Sequence, residues 1–131
     1  MIKVIIIEDN HDIRNALHAL LNGSSGFSCP AHFSNAEEAL TAIPNIDFQV
    51  ALVDINLPGI SGIELVGKLK PALPEKQFVM LTVFEDSDYI FKALKAGATG
   101  YLLKSTPPVK ILEAIIDVHQ GGSPMSGQIA R

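Results

Sequence analysis

Cysteine is nearly absent from this chain. Cys29 stands alone, so no internal disulfide can form and nothing calls for an oxidising compartment. Long apolar runs are missing too: none approaches the ~18 residues that a membrane-spanning helix needs. The opening MIKVIIIEDN is a poor secretion signal, because its apolar core, Val4 to Ile7, is short and acidic residues follow at once. We therefore expect a cytoplasmic protein with no membrane partner. There is no basic run and no basic stripe with interleaved aromatics, and the net charge is −4, so this chain alone is ill suited to gripping a phosphate backbone. His18, His32 and His119 fall at no spacing that would make a metal site of nitrogen ligands. Internal repeats and low-complexity blocks are also lacking.

What is present is a globular composition, 47% hydrophobic and 18% charged, in 131 residues, the size of one domain. Strand-like and helix-like periods alternate along it. Lys3–Glu8 is a strand of β-branched residues. Ile13, Ala16, Leu17, Leu20 and Leu21 share a face of a helix over 12–22, which Gly23-Ser24-Ser25-Gly26 ends. Phe27–Phe33 is a weak strand, and Pro30 places it at an edge. Ser34-Asn35-Ala36-Glu37 has a capping-box pattern and opens a helix through Ile43. Strands are predicted over 48–54, 77–82 and 99–104. Helices are predicted from a second capping box, Ser61-Gly62-Ile63-Glu64, to Lys70, and from Asp86 to Ala96 before Gly97. A last helix has Thr106 as N-cap and Pro107 as its first residue, and ends near Gln120. Five β–α units of this kind imply an α/β fold with a doubly wound five-stranded parallel sheet, covered on both faces.

In such sheets ligands bind outside the carboxyl ends of the strands, and the reactive residues of this sequence fall there. Glu8 and Asp9 end the first strand, Asp54 the third, Thr82 the fourth and Lys104 the fifth. Three carboxylates on one rim repel one another, by ~1 kcal/mol per pair at ~4 Å in water and ~4 kcal/mol at an effective dielectric of about 20. A hard cation relieves this, and oxygen-only ligands suit Mg²⁺ or Mn²⁺. An aspartate left with a free oxygen is a nucleophile able to form an aspartyl phosphate. Lys104 would neutralise phosphoryl oxygens and the Thr82 hydroxyl would bond another.

The stretches IIIEDN, ALVDINLPGISGIEL, VMLTVFED and GATGYLLKS, in this order, resemble the receiver domain of two-component response regulators. The resemblance covers residues 1–122 and implies a flavodoxin-like sheet of order 2-1-3-4-5. It makes Asp54 the phosphoacceptor, and Glu8, Asp9, Asp54 and the backbone carbonyl of Asn56 the metal ligands. It also makes Lys104 the phosphate-binding lysine, Thr82 the switch hydroxyl and Tyr101 a switch aromatic that turns inward after phosphorylation. The donor implied is a sensor histidine kinase. The domain would be no enzyme in the ordinary sense, catalysing only its own phosphotransfer and slow autodephosphorylation. The ending GGSPMSGQIAR is similar to the NarL/FixJ (LuxR-type) class, so 123–131 is expected to begin a weakly ordered linker toward a DNA-binding output domain outside this chain.

Several positions carry narrower expectations. Val83 is bulkier than the family's usual Ala or Gly and would narrow the approach to Asp54. Phe84 either shields the acyl phosphate or covers the core. Phe91 points outward beside Lys92 and Lys95. His11 is an exposed first-turn residue near the acidic rim. Ile111, Leu112, Ile115, Ile116 and Val118 form a stripe wide enough for a homodimer through the last helices. Three alternatives are weighed. A degenerate receiver that binds partners without phosphorylation would not need Asp54, Thr82 and Lys104 together. A phosphohydrolase of the haloacid dehalogenase type would have a second carboxylate where Asn56 stands. A flavin carrier would not present Glu8 and Asp9 to a phosphate.

Overall fold

In the computed structural model, which describes residues 1–125, β1 (Ile2–Ile7) is followed by α1 (His11–Asn22), β2 (Phe27–Ser28), β3 (His32–Phe33) and α2 (Ala36–Ala42). After a single 3₁₀ turn come β4 (Val50–Val53), α3 (Gly62–Ala72), β5 (Gln77–Thr82), α4 (Ser87–Ala96), β6 (Gly100–Leu103) and α5 (Pro108–His119). The sheet is parallel throughout, in the order β2-β1-β4-β5-β6, with β3 also pairing with β1. With β2 and β3 counted as one interrupted strand, this is the expected flavodoxin-like order.

Strand residues alternate between two cores, which is why whole strands are apolar rather than every second residue. Ile5, Ile7, Ala51, Val53, Phe78, Met80 and Tyr101 face α2, α3 and α4. Val4, Ile6, Val50, Leu52, Val79, Leu81 and Leu102 face α1 and α5.

The expected strand over 27–33 is broken in two. Pro30 has no N–H to give to β1. The Cys29 N–H leaves the ladder and donates to Asn22 Oδ1 at 2.8 Å, while the Cys29 thiol donates to the Ala31 carbonyl. On α1 the apolar face is narrower than expected, because Ala16 is exposed while Leu17 and Leu21 are buried. The first capping box also shifts by one residue. Asn35, not Ser34, caps α2 by accepting the Glu38 N–H. Glu37 is thereby freed to accept the Ile60 N–H at 3.1 Å, tying α2 to the loop after β4. At α5, Pro107 is the N-cap and Pro108 the first helical residue, one position later than expected. At the second capping-box pattern Ser61 is the N-cap as expected, its Oγ accepting the Glu64 N–H. α3 runs past Lys70 to Ala72 and carries Pro71 in its last turn, where the missing N–H removes one intrahelical hydrogen bond.

Pro124 and Met125, in the expected linker, lie against β6. The Tyr101 N–H donates to the Pro124 carbonyl at 3.0 Å, and Met125 bridges to Tyr101 and packs on the core. The remainder of the expected linker, 126–131, lies outside the described residues.

Candidate functional site

All five strand-end residues meet at one rim of the sheet. Lys104, just past β6, extends its ammonium between two carboxylates: Nζ is 2.7 Å from Glu8 Oε1 and 2.9 Å from Asp54 Oδ2. Glu8 Oε2 accepts the Asn10 N–H at 3.0 Å, and Asp54 Oδ1 accepts the Asn56 N–H at 3.4 Å. Glu8 and Asp54 are buried, whereas Asp9 is exposed. Carboxylate oxygens of Glu8, Asp9 and Asp54 lie within 4.8 Å of one another.

Burial pushes the Glu8 carboxyl above its ordinary range, and the Asp54 charge adds to this; the hydrogen bonds from Lys104 and the Asn10 N–H offset only part. For Lys104 the largest single influence is again burial, which disfavours the ammonium. The contacts with Glu8 and Asp54 together outweigh it and raise the lysine above its usual value. The two directions agree physically: one ammonium serves two carboxylates, so it is fully stabilised while each anion is only partly neutralised. Three carboxylates against one ammonium leave a negative excess. The donor set is oxygen only, and it fits a hard divalent cation such as Mg²⁺.

Thr82 ends β5 fully buried, and its Oγ1 has no hydrogen-bond partner. A buried hydroxyl left unsatisfied costs about 1–3 kcal/mol. Behind it, Tyr101 already occupies the inward position that the resemblance implied only after phosphorylation: it is fully buried, with its hydroxyl donating to the Phe84 carbonyl at 2.8 Å. Burial pushes the Tyr101 phenol up to about 12. Phe84 packs on the core and stacks on Tyr89 with ring centroids 4.5 Å apart, which favours the core-covering role over a shield. Val83 is 66% exposed. Phe91 points outward as expected, and on α5 Ile116 is partly exposed while Ile111, Ile115 and Val118 are buried.

Three residues that shape the site escaped the sequence reading. Gly62 lies against the Asp54 backbone, where a Cβ would overlap the Asp54 carbonyl oxygen. Its N–H donates to the Ile55 carbonyl and closes the loop after β4. Asn10 caps α1 through its side chain while its N–H holds Glu8. Arg14 reaches back one helical turn to the carbonyls of Glu8 and Asp9. His11 turns to Arg14 and Asn15, not toward the rim.

Comparison with known proteins agrees with this geometry. Residues 4–116 match the family described as the response regulator receiver domain. The chain is 36% identical over 122 residues to the transcriptional regulatory protein LnrK of Bacillus subtilis, covering 93% of this chain and 56% of that protein. It is 31% identical over 120 residues to the oxygen regulatory protein NreC of Staphylococcus epidermidis, covering 91% of this chain and 55% of that one. The chain thus spans about half the length of these curated relatives. Among solved structures, a two-component response regulator of the LuxR family from Aurantimonas superposes with a TM-score of 0.92 at 26% identity, covering 98% of this chain and 91% of the other. A CheY-like receiver domain protein from Methanospirillum hungatei superposes with a TM-score of 0.85 at 28% identity, covering 92% and 94%. Family match, relatives and fold agree with the strand-end constellation, and this chain belongs to the receiver domains of two-component response regulators.

Proposed function

We propose that the domain accepts a phosphoryl group on Asp54 from a sensor histidine kinase and passes the change to an output, a DNA-binding domain in a longer chain. The observation that carries this reading is the Lys104 ammonium, 2.9 Å from Asp54 Oδ2 and 2.7 Å from Glu8 Oε1, beside a buried Thr82 hydroxyl with no partner. In the transfer, the phosphorus–nitrogen bond of a phosphohistidine breaks and a bond from phosphorus to an Asp54 carboxylate oxygen forms. Glu8, Asp9, Asp54 and the Asn56 carbonyl would hold Mg²⁺ or Mn²⁺, which supplies charge neutralisation at the phosphoryl oxygens. Lys104 moves from carboxylate to phosphoryl oxygen, a shift that needs only a new partner for a group already in place. The Thr82 hydroxyl donates to another phosphoryl oxygen and ends its unsatisfied state. That pull is transmitted to Tyr101 and to the Pro124 and Met125 backbone paired with it. No helix among the described residues is long and apolar enough to cross a membrane, which is compatible with a cytoplasmic site of action. A homodimer through the last helices is supported by exposed Val109 and partly exposed Ile116 on α5.

The test is intact mass after incubation with a small phosphodonor, with and without Mg²⁺, for the parent and Asp54→Asn. One phosphoryl group added to the parent, dependent on Mg²⁺ and absent from the variant, is expected. A folded parent that gains no adduct under conditions that label a working receiver would turn the assignment toward a partner-binding domain that acts without phosphorylation.

A further inference from the structure

The three carboxylates of the rim are not held equally. Glu8 is fixed at both oxygens, by Lys104 and by the Asn10 N–H. Asp54 is fixed by Lys104 and the Asn56 N–H. The Asp9 carboxylate is exposed and, among the described residues, has neither a hydrogen bond nor an ion pair, yet it lies within 4.8 Å of the other two. Its direction is therefore set by its own backbone, at the point where the chain leaves β1 and turns into α1.

Arg14 holds that backbone. Its Nη1 donates to the Glu8 carbonyl at 2.8 Å and, more weakly, toward the Asp9 carbonyl at 3.4 Å. Its Nη2 is 3.2 Å from His11 Nδ1, which accepts from the guanidinium in the tautomer that carries its proton on Nε2, so the guanidinium is steadied from its far side. The Arg14 N–H also donates to the Asn10 carbonyl at 2.9 Å. Among the described residues Arg14 makes no ion pair with Glu8, Asp9 or Asp54, so its planar fork is directed at main-chain carbonyls and not at the acidic side chains.

We propose that Arg14 is a positioning residue for the acidic rim: by clamping the carbonyls of Glu8 and Asp9, it aims the otherwise unsupported Asp9 carboxylate at the cation position shared with Glu8 and Asp54. This rests on the reading of those carboxylates as a Mg²⁺ site. The proposal has a sign that a purely electrostatic role lacks. A fixed positive charge beside a cation site repels the cation, so removing the charge alone strengthens Mg²⁺ binding. Removing a clamp weakens it, because the partners that orient metal ligands govern affinity.

The experiment is a Mg²⁺ titration of the whole chain, followed by amide NMR shifts at residues 8–10 and 54–56, for the parent, Arg14→Met and Arg14→Lys. Thermal melts identify which variants are folded. Mg²⁺ dissociation constants are expected to rise ~10-fold in Arg14→Met, the low end for loss of such a partner. They should rise ~3-fold in Arg14→Lys, which keeps the charge but can reach only one carbonyl. Unchanged or tighter binding in whichever variant folds overturns the proposal while leaving the Mg²⁺ site intact. A folded parent that shows no Mg²⁺-dependent shift at these residues removes the metal site itself, and the role of Arg14 with it.

Discussion

Lys104 Nζ lies 2.9 Å from Asp54 Oδ2, so the carboxylate proposed to receive a phosphoryl group is ion-paired with the residue proposed to bind that group afterwards. The pairing gives the buried Asp54 carboxylate a counter-ion, and it parks the ammonium within reach of any atom that Asp54 acquires. The same ammonium is shared with Glu8. Removing Lys104 and removing Asp54 should therefore have opposite effects on stability.

Lys104→Met leaves Glu8 and Asp54 buried and facing each other without a cation. Breaking a buried pair by removing one partner costs about 3–5 kcal/mol. Because the Lys104 side chain retains 16% exposure, a smaller loss is expected here, roughly 2 kcal/mol, with part of it restored by Mg²⁺. Asp54→Asn removes one of two mutually repelling anions and leaves Lys104 its contact with Glu8, so the unliganded variant should be at least as stable as the parent. Urea unfolding with and without Mg²⁺ measures both. An equal loss in the two variants would show that the ion pair itself, not the repulsion, dominates.

Gly62 and Gly67, both on α3, should respond oppositely to alanine. A Cβ at Gly62 would overlap the Asp54 carbonyl oxygen and sit 2.9 Å from Val53 Cγ1, and the carbonyl cannot give way without moving the backbone that carries Asp54. Gly62→Ala is expected to cost at least the ~1–3 kcal/mol of overpacking and to reduce labelling of Asp54. A Cβ at Gly67 meets nothing closer than Ala96 Cβ at 3.9 Å. Gly67→Ala should therefore gain ~0.5–1 kcal/mol from helix propensity, with labelling unchanged. Thermal or urea melts of the two variants, paired with the phosphodonor assay, give the comparison.

Burial pushes the Cys29 thiol up to about 11, so the native protein at pH 8 should resist alkylation by iodoacetamide and become reactive only on unfolding. The same shift has a stability consequence. The native state favours the protonated thiol, so the associated stabilisation is complete below the unfolded pKa and disappears as pH rises through the folded one, between about 9 and 11. Cys29→Ala lacks this dependence. The stability difference between parent and variant should therefore shrink over that interval, and a difference that stays constant with pH would exclude the thiol as its source.

Most of the fold was legible because each strand is a short apolar run closed by a chemically distinct residue, as at Val53-Asp54 and Leu103-Lys104. The site was legible for the same reason, since a parallel sheet brings strand ends to one rim whatever their distance along the chain. Departures arose where one donor had two possible acceptors. Ser34 and Asn35 both qualify as caps, and the selection of Asn35 redirected Glu37 to Ile60. Pro30 signalled an edge, but not that Asn22 would take the Cys29 N–H and split the strand. Arg14 was invisible as a site residue because its contacts are to carbonyl oxygens, which every residue carries and no sequence pattern marks.

Thr82 offers the sharpest separation of stability from signalling. Its Oγ1 is buried without a partner, a state that burdens the resting fold. Thr82→Val replaces that hydroxyl with a methyl of the same shape and removes the unsatisfied group. The variant should gain about 1 kcal/mol or more in urea unfolding, because a lone buried hydroxyl costs about 1–3 kcal/mol. Labelling of Asp54 should persist, since Lys104 and the carboxylates are untouched. The phosphoryl-dependent response at Tyr101, read as the change in its ring and amide NMR signals on labelling, should fall sharply, because the hydroxyl that links the two is gone. A variant that is less stable than the parent would mean that the Thr82 hydroxyl is satisfied in solution. A variant that labels and still moves Tyr101 would take the relay away from Thr82.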